Sequence, residues 1–176
     1  MTPAQATSPY PLAAFSFYLS GRNQVLLSIA EEIGKNLDAA DSSAGSFPAG
    51  PRTRASDLMW LWTLGAYEVI RTMCQAKECF AARFYTAIAD LKIDLERVRI
   101  PNTKMERLKY DRKDRTIPVS SNREPDSWDD TSRDLLVGDP AASVSARMLL
   151  GKYARVVSSL TLAEVVMSHE DSFGKR

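Results

Sequence analysis

The stretch SDLMWLWTLGAYEVIRTMCQ, residues 56–75, decides the fold of this chain. Ser56 offers a hydroxyl to cap a helix N-terminus, Asp57 suits the positive end of the helix dipole, and the apolar run starts at Leu58. A helix is therefore expected from Ser56 to Gln75. At about 100° per residue, Leu58, Leu61, Trp62, Gly65, Ala66, Val69, Met73 and Ala76 share one broad face, and Trp60, Leu64 and Tyr67 cover much of the other. A helix apolar nearly all round belongs in the middle of a core. One strip departs from that rule, because Glu68, Arg71 and Gln75 continue the side that carries Trp60 and Leu64.

Toward the C-terminus, Phe80, Phe84, Ile88, Leu91, Leu95 and Val98 form a second amphipathic pattern, a helix over Cys79–Arg99 ended by Pro101. No Gly or Pro parts the two patterns. One continuous helix would be about 65 Å long, against a diameter of roughly 40 Å for a compact chain of this length. A break near Gln75–Cys79 and a hairpin of two helices follow.

Toward the N-terminus, Leu12, Phe15, Leu19, Leu26, Ile29, Ile33 and Leu37 repeat at helical spacing, predicting a helix over Leu12–Leu37 with its weakest point at Gly21. Residues 38–55 hold Gly, Pro, Ser and Ala and few large apolar groups, which makes them a flexible loop. Asp139 and Pro140 have the N-cap and first-turn arrangement of a last long helix, Pro140–Leu160, whose apolar face runs from Ala146 to Leu160. Thr161 and Glu164 have capping-box spacing, and a polar tail is expected over 169–176. The stretch 100–139 lacks helical periodicity and reads as a long polar connection, in which Thr116–Val119 and Leu135–Val137 would make a small β-hairpin. The expected fold is mainly α, a four-helix bundle-like single domain over 1–176 with two long connections.

The chain has 176 residues, and its 23 Lys and Arg nearly cancel its 22 Asp and Glu, a net charge of +1. So even a balance gives no global attraction to nucleic acid or to an anionic membrane. Cys74 and Cys79 would point about 140° away from each other on a helix and so cannot bridge within it, and the single His169 leaves a structural zinc site short of ligands. Such cysteine usage suits a reducing cytosol. The uncharged stretch before Arg22 lacks the basic leader of a signal peptide, and no apolar run is long enough to span a bilayer. A cytoplasmic protein without a membrane is expected.

Three constellations would carry chemistry. The first is the side of the central helix that carries Trp60, Leu64, Tyr67, Glu68, Arg71 and Gln75, which reads as either a ligand or partner site or an internal ion pair that locks helix register. The second is the stretch 97–115, where Arg97, Arg99, Lys104, Arg107, Lys109, Arg112, Lys113 and Arg115 face Glu106, Asp111 and Asp114, with Tyr110 available to stack on a base. The acidic residues from Glu124 to Asp139 that follow it would either neutralise this patch or cover it until a partner displaces them. The third is His169 with Glu170 and Asp171, adjacent residues that do not converge on one centre.

Phosphate loops, nucleophile elbows and paired metal-binding histidines are absent from the sequence. The HEPN nucleases, a helical-bundle family, place Arg and then His on one helix, but after Arg71 the corresponding places hold Ala76, Lys77 and Glu78. No catalytic residue, cofactor or metal is expected. The leading expectation is a non-enzymatic helical interaction module, a subunit or regulator whose partner is protein, either self or other. A nucleic-acid-associated protein using 97–115 is the alternative, and an enzyme or small-ligand binder around Glu68 and Arg71 is the second.

Overall fold

The computed structural model describes residues 10–42, 50–104, 106–108, 116–118 and 126–173. The domain is mainly α, with several helices and a small antiparallel sheet. The first apolar stripe forms two helices, α1 (Pro11–Phe15) and α2 (Phe17–Ser42). They part at Ser16 and not at the expected Gly21, because Ser16 is extended and its Oγ accepts the Leu19 N–H at 3.2 Å, capping α2. Gly21 stays within α2 on the exposed side.

The central helix α3 spans Pro51–Gln75 and starts before the expected Ser56. Pro51 occupies the first turn, where its fixed φ and missing N–H cost nothing, and Gly50 stands at the N-cap. The Ser56 hydroxyl is used elsewhere, donating to Asp126 Oδ2 at 2.5 Å. The expected loop over 38–55 is corrected at both ends, since helix reaches Ser42 and resumes at Pro51, with Ala40 and Ala55 buried. The central part of that loop, 43–49, lies outside the described residues.

The break after Gln75 stands where chain length demanded it. A 3-10 turn, Lys77–Cys79, reverses the chain into α4 (Ala82–Lys104). An antiparallel bridge between Phe80 and Val165 holds the turn, with Val166 N–H donating to the Cys79 carbonyl and Ala81 N–H to that of Glu164, each at 2.9 Å. Pro101 does not end α4 but lies inside its last turns, leaving the Arg97 carbonyl without its helical donor. Beside that carbonyl passes Gly138, at φ +101°, where a Cβ would stand 3.4 Å from the Arg97 oxygen.

The long second connection is not structureless. Strands β1 (Glu106–Leu108) and β2 (Thr116–Pro118) form one antiparallel pair, and β3 (Ser127–Asp129), β4 (Asp134–Val137) and β5 (Val144–Ser145) form a sheet in the order β3-β4-β5. Both apolar stretches singled out in the sequence are strands, but they pair with their own neighbours and not with each other: Arg107 opposes Ile117, and Trp128 opposes Leu135. The last long helix, α5, spans Ala146–Ser158 and so starts later than Pro140. Asp139 closes a turn, its carboxylate accepting the Ala141 N–H, while Ser145 caps α5 through the Met148 N–H at 3.0 Å. Buried Asp134 holds this joint by accepting the Ser145 hydroxyl and the Leu135 N–H.

The capping box of Thr161 and Glu164 is present, but it opens a short 3-10 turn, Leu162–Glu164. The segment expected as a tail contains α6 (His169–Phe173). Within the core, α3 has α2 on one side and α4 on the other, and α5 closes against α4 and touches α2. Trp62, wholly buried, meets the Tyr153 ring edge-on with centroids 5.2 Å apart. No helix among the described residues is long and apolar enough to cross a membrane.

Candidate functional site

The central helix is not buried all round, as its composition led us to expect. Met59, Trp62, Thr63, Ala66, Ile70 and Met73 face the core, whereas Leu61 is 50% exposed and Trp60 43% exposed. The reason lies in the neighbours, because α2 and α4 flank α3 and no described element covers its outer side. There α2 and α3 leave an open groove of about 760 Å³. From α2 it is lined by Leu19, Arg22, Val25, Leu26 and Ile29, which share one helical stripe. From α3 come Leu61, Leu64, Glu68, Arg71 and Thr72 at the same spacing.

Gly65 sets the depth of the groove. A Cβ placed on it would stand 2.8 Å from Leu26 Cδ2, so the absence of a side chain lets Leu26 seat against the α3 backbone. Val25, next to Leu26 on α2, stays 59% exposed.

The polar strip rims this groove and is not locked inside the protein. Arg71 donates to Glu68 Oε2 from Nε at 2.8 Å and from Nη2 at 2.6 Å, with both side chains more than two-fifths exposed. A pair so solvated contributes about 0–1 kcal/mol, too little to dictate helix register. Arg22, across the groove, donates to the Tyr18 hydroxyl at 2.5 Å and lies over that ring at 4.4 Å.

The residues singled out on α3 divide among three places. Leu64, Glu68 and Arg71 line the α2–α3 groove, and Tyr67, Arg71 and Gln75 line a second groove of about 560 Å³ between α3 and α4. Arg71 thus borders both. Trp60 lines neither. Tyr67 is buried beneath the Arg99 guanidinium at 4.3 Å, with the Lys92 ammonium at 5.9 Å from its ring. In the same groove, partial burial pushes the Cys74 thiol above its ordinary pKa, against the opposing effect of Lys92.

The basic stretch is only partly visible. Arg97 pairs with Asp94 at 3.7 Å, Arg99 covers Tyr67, Lys104 ends α4, and Arg107 lies on β1. Lys109, Tyr110, Arg112, Lys113 and Arg115 lie outside the described residues. His169 stacks between Phe15 and Phe173, with centroids 5.0 Å from each, so its ring serves packing. Among the described residues no group of His, Cys, Asp and Glu side chains gathers as a metal site requires, and both cysteines are thiols.

Sequence reasoning missed Val25 and the exposure of Leu61. Val25 carried a signal, since it is apolar and stands beside the buried stripe of α2 and not on it. Leu61 carried none, because only the placement of α2 and α4 leaves it uncovered. Comparison with protein-family models, curated proteins and solved structures finds no match.

Proposed function

We propose that this chain is a non-enzymatic helical interaction module, a cytoplasmic subunit or regulator of a protein complex, that receives a helical partner in the α2–α3 groove. The observation that carries this reading is the pair Val25 and Leu61, large apolar side chains left half or more exposed on facing walls of one groove. Isolated exposed apolar residues are ordinary, but apolar residues aligned at helical spacing along a groove match the way amphipathic helices dock. The charged groups stand at the rim, as in protein interfaces generally, where polar residues surround an apolar centre. The bundle-like layer of α2, α3, α4 and α5 supplies a rigid support for such a surface.

The test is photocrosslinking in the native cell, with a photoreactive phenylalanine analogue at Leu61 and, as control, at Met148, which is exposed on α5. Adducts are expected from position 61 and should disappear when Val25→Asp is added. If position 61 gives no protein adduct beyond those of position 148, the reading is wrong.

A further inference from the structure

We infer that the α3–α4 groove is a binding site for a small organic monoanion, a carboxylate carried on a flat apolar body. It lies on the side of α3 that faces α4 rather than α2, and does not depend on the reading of the α2–α3 groove as a partner surface. Two helical stripes build it. Tyr67, Arg71 and Cys74 on α3 follow one another at i, i+4 and i+7, and Tyr85, Ala89 and Lys92 on α4 repeat that spacing. The turn Lys77–Cys79 brings the two stripes together along one groove. Its volume of about 560 Å³ is within the range of roughly 300–1,000 Å³ found for small-molecule sites.

The charge on this lining is of one sign. Arg71 and Lys92 are its ionised residues, and among the described residues no Asp or Glu lines it. Glu68 and Glu96, which pair with the two cations, stand outside the lining, and neither occupies its cation fully. Arg71 gives Nε and Nη2 to a single oxygen, Glu68 Oε2, which leaves Nη1 without a partner among the described residues. Lys92 Nζ stands 3.6 Å from Glu96 Oε2, beyond an ordinary hydrogen bond. Lys77, with Nζ 5.2 Å from the Tyr85 ring, adds positive charge at the turn end of the groove. Partial burial raises the Cys74 pKa and keeps the thiol neutral, so it brings no competing negative charge.

Tyr67 is the residue that points to a ligand. It is 6% exposed and lines the groove, yet its hydroxyl makes no hydrogen bond among the described residues and keeps access to solvent. A buried phenol ordinarily finds a partner. The Arg99 guanidinium, 4.3 Å from the ring, holds this one in place, so a fixed donor stands in the same groove as the two cations. A carboxylate accepts from all three groups. The balance of charge sets the class of ligand: two cations, each already shared with one glutamate, accommodate about one further negative charge, which favours a carboxylate over a phosphate monoester carrying about −1.5 to −2. Tyr85, Ala89 and Ile93, the last 51% exposed, supply an apolar wall for the body of the ligand.

The experiment is a titration of the full chain, followed by amide proton–nitrogen correlation spectra, with 2-naphthoate as the probe and with naphthalene-2-carboxamide, 2-naphthyl phosphate and acetate as comparators. The expected result is a saturable shift of Arg71, Cys74 and Lys92 by 2-naphthoate, with the neutral amide, the dianion and the ringless anion each weaker by about tenfold or more. Lys92→Gln and Arg71→Gln should each raise the dissociation constant about tenfold, and Tyr67→Phe, which keeps the ring and removes the donor, about fivefold. Arg71 and Lys92 are partly exposed, and the midpoint of thermal unfolding serves as the folding control for all three variants. No saturable shift up to about 10 mM 2-naphthoate overturns the proposal. So does equal binding of the amide, tighter binding of the phosphate, affinity unchanged in Lys92→Gln, or shifts centred on Val25 and Leu61, which would place the probe in the α2–α3 groove.

Discussion

Tyr153 and Asn23 meet in the core, the phenol donating to Asn23 Oδ1 at 2.8 Å with both side chains buried. In Tyr153→Phe the amide oxygen would lose its donor where water does not reach, a cost of about 1–3 kcal/mol. Chemical denaturation should show a lower midpoint at unchanged slope. Burial also raises the Tyr153 pKa well above its ordinary value. The sign follows from linkage: the neutral phenol's contribution is fully present below the unfolded pKa of about 10 and is lost as pH rises beyond it, because the unfolded state releases its proton first. Wild-type stability should therefore fall from about pH 10 upward, and Tyr153→Phe should fall less steeply over the same range. Neither partner of this pair was visible as a pair in the sequence. Tyr153 was legible as a core residue from its helical spacing, but Asn23, a polar residue distant in the chain, acquires a reason to be buried only when α5 closes on α2.

At the scale of elements, the joints between elements decide more than the elements do. Helical periodicity located α2, α3, α4 and α5, because a 3.6-residue repeat is a local property of the chain. Their ends were misread wherever a capping group had a competing use. Ser56 bonds Asp126 and not its own helix, Asp139 closes a turn, and Pro101 is carried inside α4. The joint of β4 to α4 offers the sharpest test. Gly138 combines φ +101° with a 3.4 Å approach to the Arg97 carbonyl, so Gly138→Ala should cost about 1–3 kcal/mol from backbone strain alone, read as a lowered unfolding midpoint. If the variant is as stable as the parent, the joint is not the constraint described. The candidate site has the same origin, since Glu68 and Arg71 were legible as a polar strip on α3, but the groove they rim exists only because Gly65 admits Leu26 from α2.

For the whole molecule, the order of layers buries the inner face of α3, with α2 and α4 on its flanks and Tyr153 of α5 against Trp62. Amides from Met59 to Met73 should exchange hydrogen only through global unfolding and so be the slowest in the protein, whereas those of α6 should exchange through local opening. Comparable protection in α6 and α3 would contradict this layering. By itself the sequence determined the helical class, the centrality of residues 56–75 and the need for a break before Phe80, because periodicity, apolar content and chain length act locally or as totals. Only the tertiary structure decided which side of α3 stays open, which strands pair, and that Val25 and Leu61 share one groove with Arg22, Glu68 and Arg71. Burial and electrostatic complementarity belong to pairs of surfaces, and those pairs are made by packing.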